Sequence, residues 1–220
     1  MGQVTSFVNQ KGGCGKSTTS VHFAYWLQVK KKQTVLLVDA DAQRSSSLWL
    51  ENTDSGISCL VLQSPDDLLE QIPELAEQYE QVVVDGPASL SESTRAILFR
   101  SDLAIIPVQP TGVDLRSASD AMRLVKQAQS VRNGLPTAAL FLSRAVKGTR
   151  LKDEAISLLQ QTPGARLLRS VIHQKQAIAD TSGQSATVWE LPGKPPADSA
   201  KEYTSLFREI MKMFHDQETA

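Results

Sequence analysis

Short runs of apolar and β-branched residues recur along the chain, alternating with longer amphipathic stretches. The runs are VTSFVN, TVLLVDAD, QVVVDG, LAIIPVQ, TAALFLS and LLRSVI. Each is nearly continuously apolar, which suits strands buried on both faces of a parallel sheet rather than strands with one wet face. Between them, helical periodicity predicts helices at about 16–30, 65–78, 91–100, 113–133, 150–160 and 197–216. Strands alternating with helices predict an α/β fold, a mostly parallel central sheet flanked by helices on both faces. Pro73 lies inside the second helical stretch and is expected to split it, because an interior proline removes a helix hydrogen bond. The segment LPGKPPADS, residues 191–199, reads as loop leading into the last helix. In that helix Tyr203, Phe207, Ile210, Met211 and Phe214 share helical spacing, while the polar side mixes Lys201, Arg208 and Lys212 with Glu202, Glu209 and Asp216. A helix lying on a membrane needs a predominantly basic polar face, so packing against the sheet is the expected role.

Composition narrows the class. A chain of 220 residues with 41% hydrophobic content suits one domain, spanning 1–220. No repeat, low-complexity tract or linker interrupts it. The formal net charge of -1 gives no bulk signature of nucleic-acid binding. Locally the balance differs: from Arg144 to Lys175 seven Lys/Arg face two acids, Asp153 and Glu154. Either a solvated helix face or a surface for phosphate contacts accounts for such a run. Cys14 and Cys59 are too few for a disulfide framework and lack zinc spacing, which fits a reducing cytosol. No leader opens the chain and no apolar run approaches the roughly 20 residues that cross a bilayer, so a cytoplasmic protein is expected.

The chemistry concentrates at VNQKGGCGKST, residues 8–18, between a strand and a helix, the context of a phosphate-binding P-loop. Gly12, Gly13 and Gly15 let backbone N–H groups curl around an anion, and the helix start adds its positive end. Gly12, Gly13, Cys14, Gly15, Lys16, Ser17 and Thr18 form the binding set, with Lys16 for the β- and γ-phosphates, Ser17 for Mg²⁺ and Thr18 for the α-phosphate. The glycine that usually opens the pattern is replaced by Gln10, and Lys11 comes next. Two later strands end in acids, Asp39 and Asp41 in one and Asp85 in the other, where an α/β sheet presents residues to a magnesium nucleotide. Such acids also cap turns.

KGGCGKST resembles the deviant Walker A motif K-G-G-x-G-K-[ST] of the ParA/MinD family of ATPases, in which the residue before the lysine need not be glycine. The resemblance implies a P-loop NTPase fold and a sandwich of two subunits around two ATP molecules. In it Lys11 matches the signature lysine that crosses to the partner's phosphates, and a cation delivered there stabilises the charge of the transferring phosphoryl group. A lysine in solvent, or on its own subunit's nucleotide, is the alternative. By the same carry-over Lys11, Lys16 and Asp41 are the catalytic residues. Asp41 orients the attacking water, Asp39 lies near the metal and steadies its loop, and Asp85 holds Mg²⁺ through water, with Ser17, Asp39 and Asp85 as the metal set. DGPASL resembles the second switch. The chain departs from the pattern at Ala42, Arg44 and Ala88 in the switches. It also departs at Ser143, where an adenine-reading asparagine is frequent, and at His173, where proline is common. His173 read alone is a surface or core histidine sooner than a metal ligand or base.

The resemblance extends to the final helix and points to small ParA-type members, which serve plasmid or chromosome partition or, when McdA-like, carboxysome positioning. The first strand starts almost at once, so the amino-terminal DNA-binding domain of larger partition ATPases is not expected. Membership of this kind implies a weak, switch-like ATPase with ATP and Mg²⁺ as cofactors. It implies a homodimer with ATP that binds nonspecific DNA on the nucleoid and answers to a cargo-bound adaptor protein, ParB-like or McdB-like. Lys147, Arg150, Lys152, Arg166, Arg169 and Lys175 are the DNA-binding candidates. A MinD-like membrane-associated ATPase and a P-loop ligase or kinase are the alternatives. An iron–sulfur role fails, since both cysteines precede Asp85.

Overall fold

The six apolar runs all become strands, and a computed structural model describing residues 2–218 adds a seventh. The strands are β1 (Gln3–Phe7), β2 (Val35–Asp39), β3 (Ser58–Val61), β4 (Gln81–Asp85), β5 (Leu103–Val108), β6 (Thr137–Ala145) and β7 (Arg166–His173). They form one sheet in the order β3-β2-β4-β1-β5-β6-β7. Every neighbouring pair is parallel. The helices are α1 (Lys16–Tyr25, continued by a π-helical turn Trp26–Lys30), α2 (Ser45–Glu51), α3 (Pro65–Gln78), α4 (Glu92–Arg100), α5 (Gly112–Val131), α6 (Arg150–Leu159), α7 (Gln176–Gly183) and α8 (Lys194–Glu218).

Side chains alternate across the pleat and feed two cores. Val82 and Val84 of β4, with Ala104 and Ile106 of β5, pack under α3, α4, α5 and α6. On the other face Phe7, Val83, Leu103 and Ile105 meet α1, α2 and α8. This two-sided burial is why β2, β4 and β5 carry apolar residues at nearly every position. Tyr203, Phe207, Ile210 and Phe214 of α8 are buried in the second core, with Met211 packed against it. The amphipathic face of the last helix is therefore consumed by the sheet. Among the described residues no helix is long and apolar enough to cross a membrane.

Three expectations need correction. Pro73 does not split its helix, and α3 runs unbroken from Pro65 to Gln78. The carbonyl that Pro73 cannot satisfy, four residues earlier on Leu69, accepts a 2.7 Å hydrogen bond from Arg100 Nε of α4. The loop-like segment 191–199 is largely helical, because α8 starts at Lys194 and places Pro195 and Pro196 in the first turn, where no N–H is needed. Helices α2 and α7 and strand β3 lie where none was expected.

β1 lies between β4 and β5, and the chain leaves β1 toward one side and β4 toward the other. Loops at the carboxyl ends of these strands therefore diverge, leaving a crevice. The helix that rises from this crevice, α1, is fixed from behind by His22. Its Nδ1 lies 2.6 Å from the Thr18 carbonyl, and its Nε2 accepts the Val188 N–H at 3.2 Å. A carbonyl only accepts, so Nδ1 carries the proton and the ring is neutral. The ring also stacks on Tyr203 of α8 at 4.6 Å.

Burial pushes the His22 imidazole down from its ordinary 6.5 to about 4, with the Thr18 carbonyl opposing the change. The unfolded chain takes up this proton near pH 6.5 and the folded chain only near 4, so the folded state loses stability as pH falls through that window. Denaturant unfolding should show about 2 kcal/mol lost between pH 7 and pH 5 through this group. The variant His22→Asn should be less stable at pH 7 and lack this part of the acid dependence. Equal acid dependence in both proteins contradicts the assignment.

Candidate functional site

The loop between β1 and α1 is held from outside so that its interior stays open. Asn9 anchors its start: Nδ2 donates to the Pro107 carbonyl at 2.8 Å and Oδ1 accepts the Lys11 N–H at 3.2 Å. Gly13 and Gly15 have φ of +74° and +98°. At Gly15 a Cβ atom would sit 2.7 Å from Ser143 Oγ, so glycine is needed both for conformation and for space. The Gly13 carbonyl accepts from Gln109 Nε2 at 2.7 Å and Arg144 Nη1 at 2.8 Å. Cys14 is buried, with Sγ 3.2 Å from the Lys11 carbonyl, and burial pushes its thiol up. Gln10, standing where a glycine is usual, donates to Asp120 Oδ2 of α5 at 2.9 Å. The residue that looks like damage in the motif ties the loop to α5.

Both loop lysines are engaged within the chain. Lys16 is almost wholly buried and Nζ donates to the Lys11 carbonyl at 3.2 Å. Lys11 Nζ lies 3.3 Å from Asp114 Oδ2 in the first turn of α5. The Asp114 carboxylate is fully buried; the Thr111 hydroxyl donates to the same oxygen, and Oδ1 has no partner.

The strand-end acids differ in what holds them. Asp39 is buried and committed: Oδ1 accepts the Asp41 N–H at 3.1 Å and Oδ2 the Ser47 N–H at 2.8 Å. Asp41 joins two loops, Oδ1 accepting the Gln43 N–H at 3.0 Å and Oδ2 the Ala88 N–H at 3.2 Å. Asp85, paired in register with Asp39, is fully buried and neither oxygen has a partner with hydrogen-bond geometry. Burial pushes its carboxyl up to about 7; the nearby Ser17 hydroxyl opposes this, the Asp39 charge adds to it, and Ser46 and Lys16 oppose it.

These residues fit a magnesium nucleotide. Among the described residues no three His, Cys, Asp or Glu side chains gather to hold a metal by themselves. Magnesium bound with phosphates needs no such cage, only one or two carboxylates, a hydroxyl and water. The unsatisfied Asp85 carboxylate and the Ser17 hydroxyl supply the first two. The adjoining cleft encloses about 780 Å³, lined at one end by Gly13, Lys16 and Asp41 and at the other by Ile172, His173 and Ile178. That volume suits a nucleotide. His173 joins no metal-holding group among the described residues: Nδ1 lies 3.0 Å from Glu202 Oε1, the His173 backbone N–H donates to Oε2 at 3.1 Å, and Lys175 Nζ donates to the same Oε1 at 2.8 Å. Ser143 is buried beneath Gly15, at the loop. Asp114, Gln109 and Glu202 were not expected in the site. Each comes from a distant element and carries no motif.

The basic candidates do not form one patch of free charge. Arg150 pairs with Glu154 at 2.7 Å, Lys152 with Asp153 at 3.4 Å, Arg166 with Asp216 at 3.0 Å and Lys175 with Glu202 at 2.8 Å. Two of these acids, Glu202 and Asp216, come from α8, outside the basic run. Lys147 follows β6, and Arg169 sits on the edge strand β7; both are exposed, and neither side chain pairs with a carboxylate among the described residues, although the Arg169 backbone N–H donates to Glu209 Oε2 of α8 at 2.8 Å.

Residues 5–188 match the family described as the CobQ/CobB/MinD/ParA nucleotide binding domain. The maintenance of carboxysome distribution protein A of Halothiobacillus neapolitanus is 25% identical over 207 residues, 92% of this chain and 94% of that protein. Its namesake from Gloeobacter kilaueensis is 38% identical over 115 residues, about half of each chain, at 51% and 52%. Among solved structures, the Cyanothece McdA–ATP complex aligns with a TM-score of 0.79 at 14% identity, covering 96% of both chains. Pyrococcus horikoshii MinD with Mg-ADP aligns at 0.75 and 21% identity, covering 97% of both. At these identities the structures speak for the fold alone. The family match spans most of the sequence and includes the K-G-G-x-G-K-[ST] loop, so the chain belongs to the CobQ/CobB/MinD/ParA family and, within it, to the deviant Walker A ATPases.

Proposed function

We propose that this chain is a ParA-type positioning ATPase of one domain: with ATP and Mg²⁺ it forms a sandwich dimer, the dimer binds DNA without sequence preference, and an adaptor on the cargo stimulates hydrolysis. The observation that carries the nucleotide half is Asp85, a fully buried carboxylate with two unsatisfied oxygens beside Ser17 and Lys16. Magnesium, when bound, neutralises phosphate charge and polarises the terminal phosphoryl group. The chain's own residues do the rest. Backbone N–H groups of Gly13 to Ser17 and the start of α1 hold the phosphates, Lys16 exchanges the Lys11 carbonyl for a phosphate oxygen, and Asp41 orients water. Because Asp41 also holds Ala88, a nucleotide that draws it in moves both switch loops together. Lys11 leaves Asp114 to reach the second nucleotide across the dimer.

The positioning half is supported by relatives named for carboxysome distribution and by the chromosome-partitioning ATPase Soj of Thermus thermophilus, 26% identical over 240 residues. A plasmid, a chromosome or a protein organelle such as the carboxysome are the cargo classes this reading admits. Burial of the α8 face removes the basis for a MinD-like membrane helix.

Two measurements test the reading. Binding to a random-sequence duplex should occur only with ATP, most strongly in Asp41→Ala, and should weaken steeply with salt. Lys147→Ala and Arg169→Ala should each weaken it and flatten the salt slope, whereas Arg150→Ala, already paired with Glu154, should change it little. Binding that ignores the nucleotide contradicts the switch. Separately, Asp85→Asn should raise the melting temperature of the nucleotide-free protein by about 2–8 °C, since an amide has no charge to desolvate. The same variant should lose the stabilisation that Mg-ATP confers on the wild type. An unchanged Mg-ATP response removes Asp85 from the metal site.

A further inference from the structure

Two cations outside the motif line the nucleotide cleft, Lys175, which is paired with Glu202, and Arg144. Arg144 stands at the exposed end of β6 with φ of +53°, an uncommon backbone conformation for a residue that is not glycine, asparagine or aspartate. The pairing of β6 with β7 explains how it gets there. Leu142 pairs with Val171 and Ala145 with His173, so three steps on β6 match two on β7, and Arg144 lies inside this bulge. A bulge of this kind re-aims a side chain at the end of a strand. Here it sends the guanidinium across the mouth of the cleft to the Gly13 carbonyl, with Nη1 at 2.8 Å.

The partner is a weak one for such a group. Among the described residues Arg144 has no carboxylate, unlike Arg150, Arg166 and Lys175, and the carbonyl it touches already accepts from Gln109. A charged planar fork at the rim of a phosphate loop, bound to one neutral acceptor, has donors left over in the geometry that suits phosphate oxygens. Strained backbone persists where surrounding structure enforces it, and such positions cluster at ligand sites.

We propose that Arg144 is a phosphate ligand supplied by the same subunit that holds the nucleotide. It rests on the Gly13 carbonyl when no nucleotide is bound and transfers to the phosphate chain when one arrives. The proposal builds on the nucleotide reading above and assigns Arg144 to phosphate binding, not to the DNA surface that its basic neighbours suggest.

The test uses Arg144→Asn, which tolerates positive φ while removing the charge and the reach, and Arg144→Lys, which keeps the charge without the fork. Mg-ADP affinity is measured by titration, adenosine affinity by competition, and folding by the melting temperature without ligand. Arg144→Asn should bind Mg-ADP about tenfold to a hundredfold more weakly, with adenosine within twofold of wild type. Arg144→Lys should recover part of the loss. A loss shared equally by adenosine would make Arg144 a mere staple of the loop, and wild-type Mg-ADP affinity in Arg144→Asn with weaker DNA binding would return it to the DNA surface; either overturns the proposal. Failure of the wild-type protein to bind Mg-ADP is a different result, which overturns the nucleotide reading and this inference with it.

Discussion

Asp85 is a fully buried carboxyl whose oxygens find no hydrogen-bond partner, a situation that costs a fold about 1–3 kcal/mol or more for each unsatisfied group. The sheet tolerates it because the residue sits at the carboxyl end of a central strand, where the crevice opens. Around it the arrangement is the reverse of a hydrophobic core. Asp39 is its register neighbour on β2, Ser17 and Lys16 open α1 beside it, and Ser46 lies near in α2. An apolar residue at position 85 would serve the sheet better, which is what supports the proposed role of this carboxyl in holding a magnesium nucleotide.

The other charged groups of the site share a pattern. Lys16 rests on the Lys11 carbonyl, Lys11 on Asp114, Asp41 on the N–H groups of Gln43 and Ala88, and Arg144 on the Gly13 carbonyl. Under the proposed function, each partner is a stand-in that phosphate, water or a second subunit replaces. Nucleotide binding in this account exchanges internal contacts for better ones, and the exchange moves α5, both loops and the end of β6 together. Ligand-linked switching needs differential contacts in two arrangements, and these residues supply them.

Much of this was legible in the sequence. The inner strands β2, β4 and β5 carried apolar residues at almost every position because both sheet faces are covered, and the loop residues announced themselves by spacing. The elements that stayed hidden did so for physical reasons. β3 is a four-residue edge strand only partly buried, and α2 begins SSS, with hydroxyls that compete for backbone hydrogen bonds. Pro73 argued for a break, and Arg100 compensates it by donating to the Leu69 carbonyl 31 residues away along the chain, which no local rule contains. The run of positive charge from Arg144 to Lys175 looked like one surface, yet α8 delivers Glu202 and Asp216 into it. Asp114 gave no sign of meeting Lys11, since nothing in a helix start says which loop it faces.

ATP, in the proposed function, joins two copies of this chain through their nucleotide sites. Light scattering on Asp41→Ala, with Mg-ATP and with Mg-ADP, measures this directly. Twice the mass of the 24.0 kDa chain with ATP and a single mass with ADP is the expected result, with Lys11→Ala failing to form the ATP dimer. One mass in every nucleotide state, after confirmed nucleotide binding, would contradict the account.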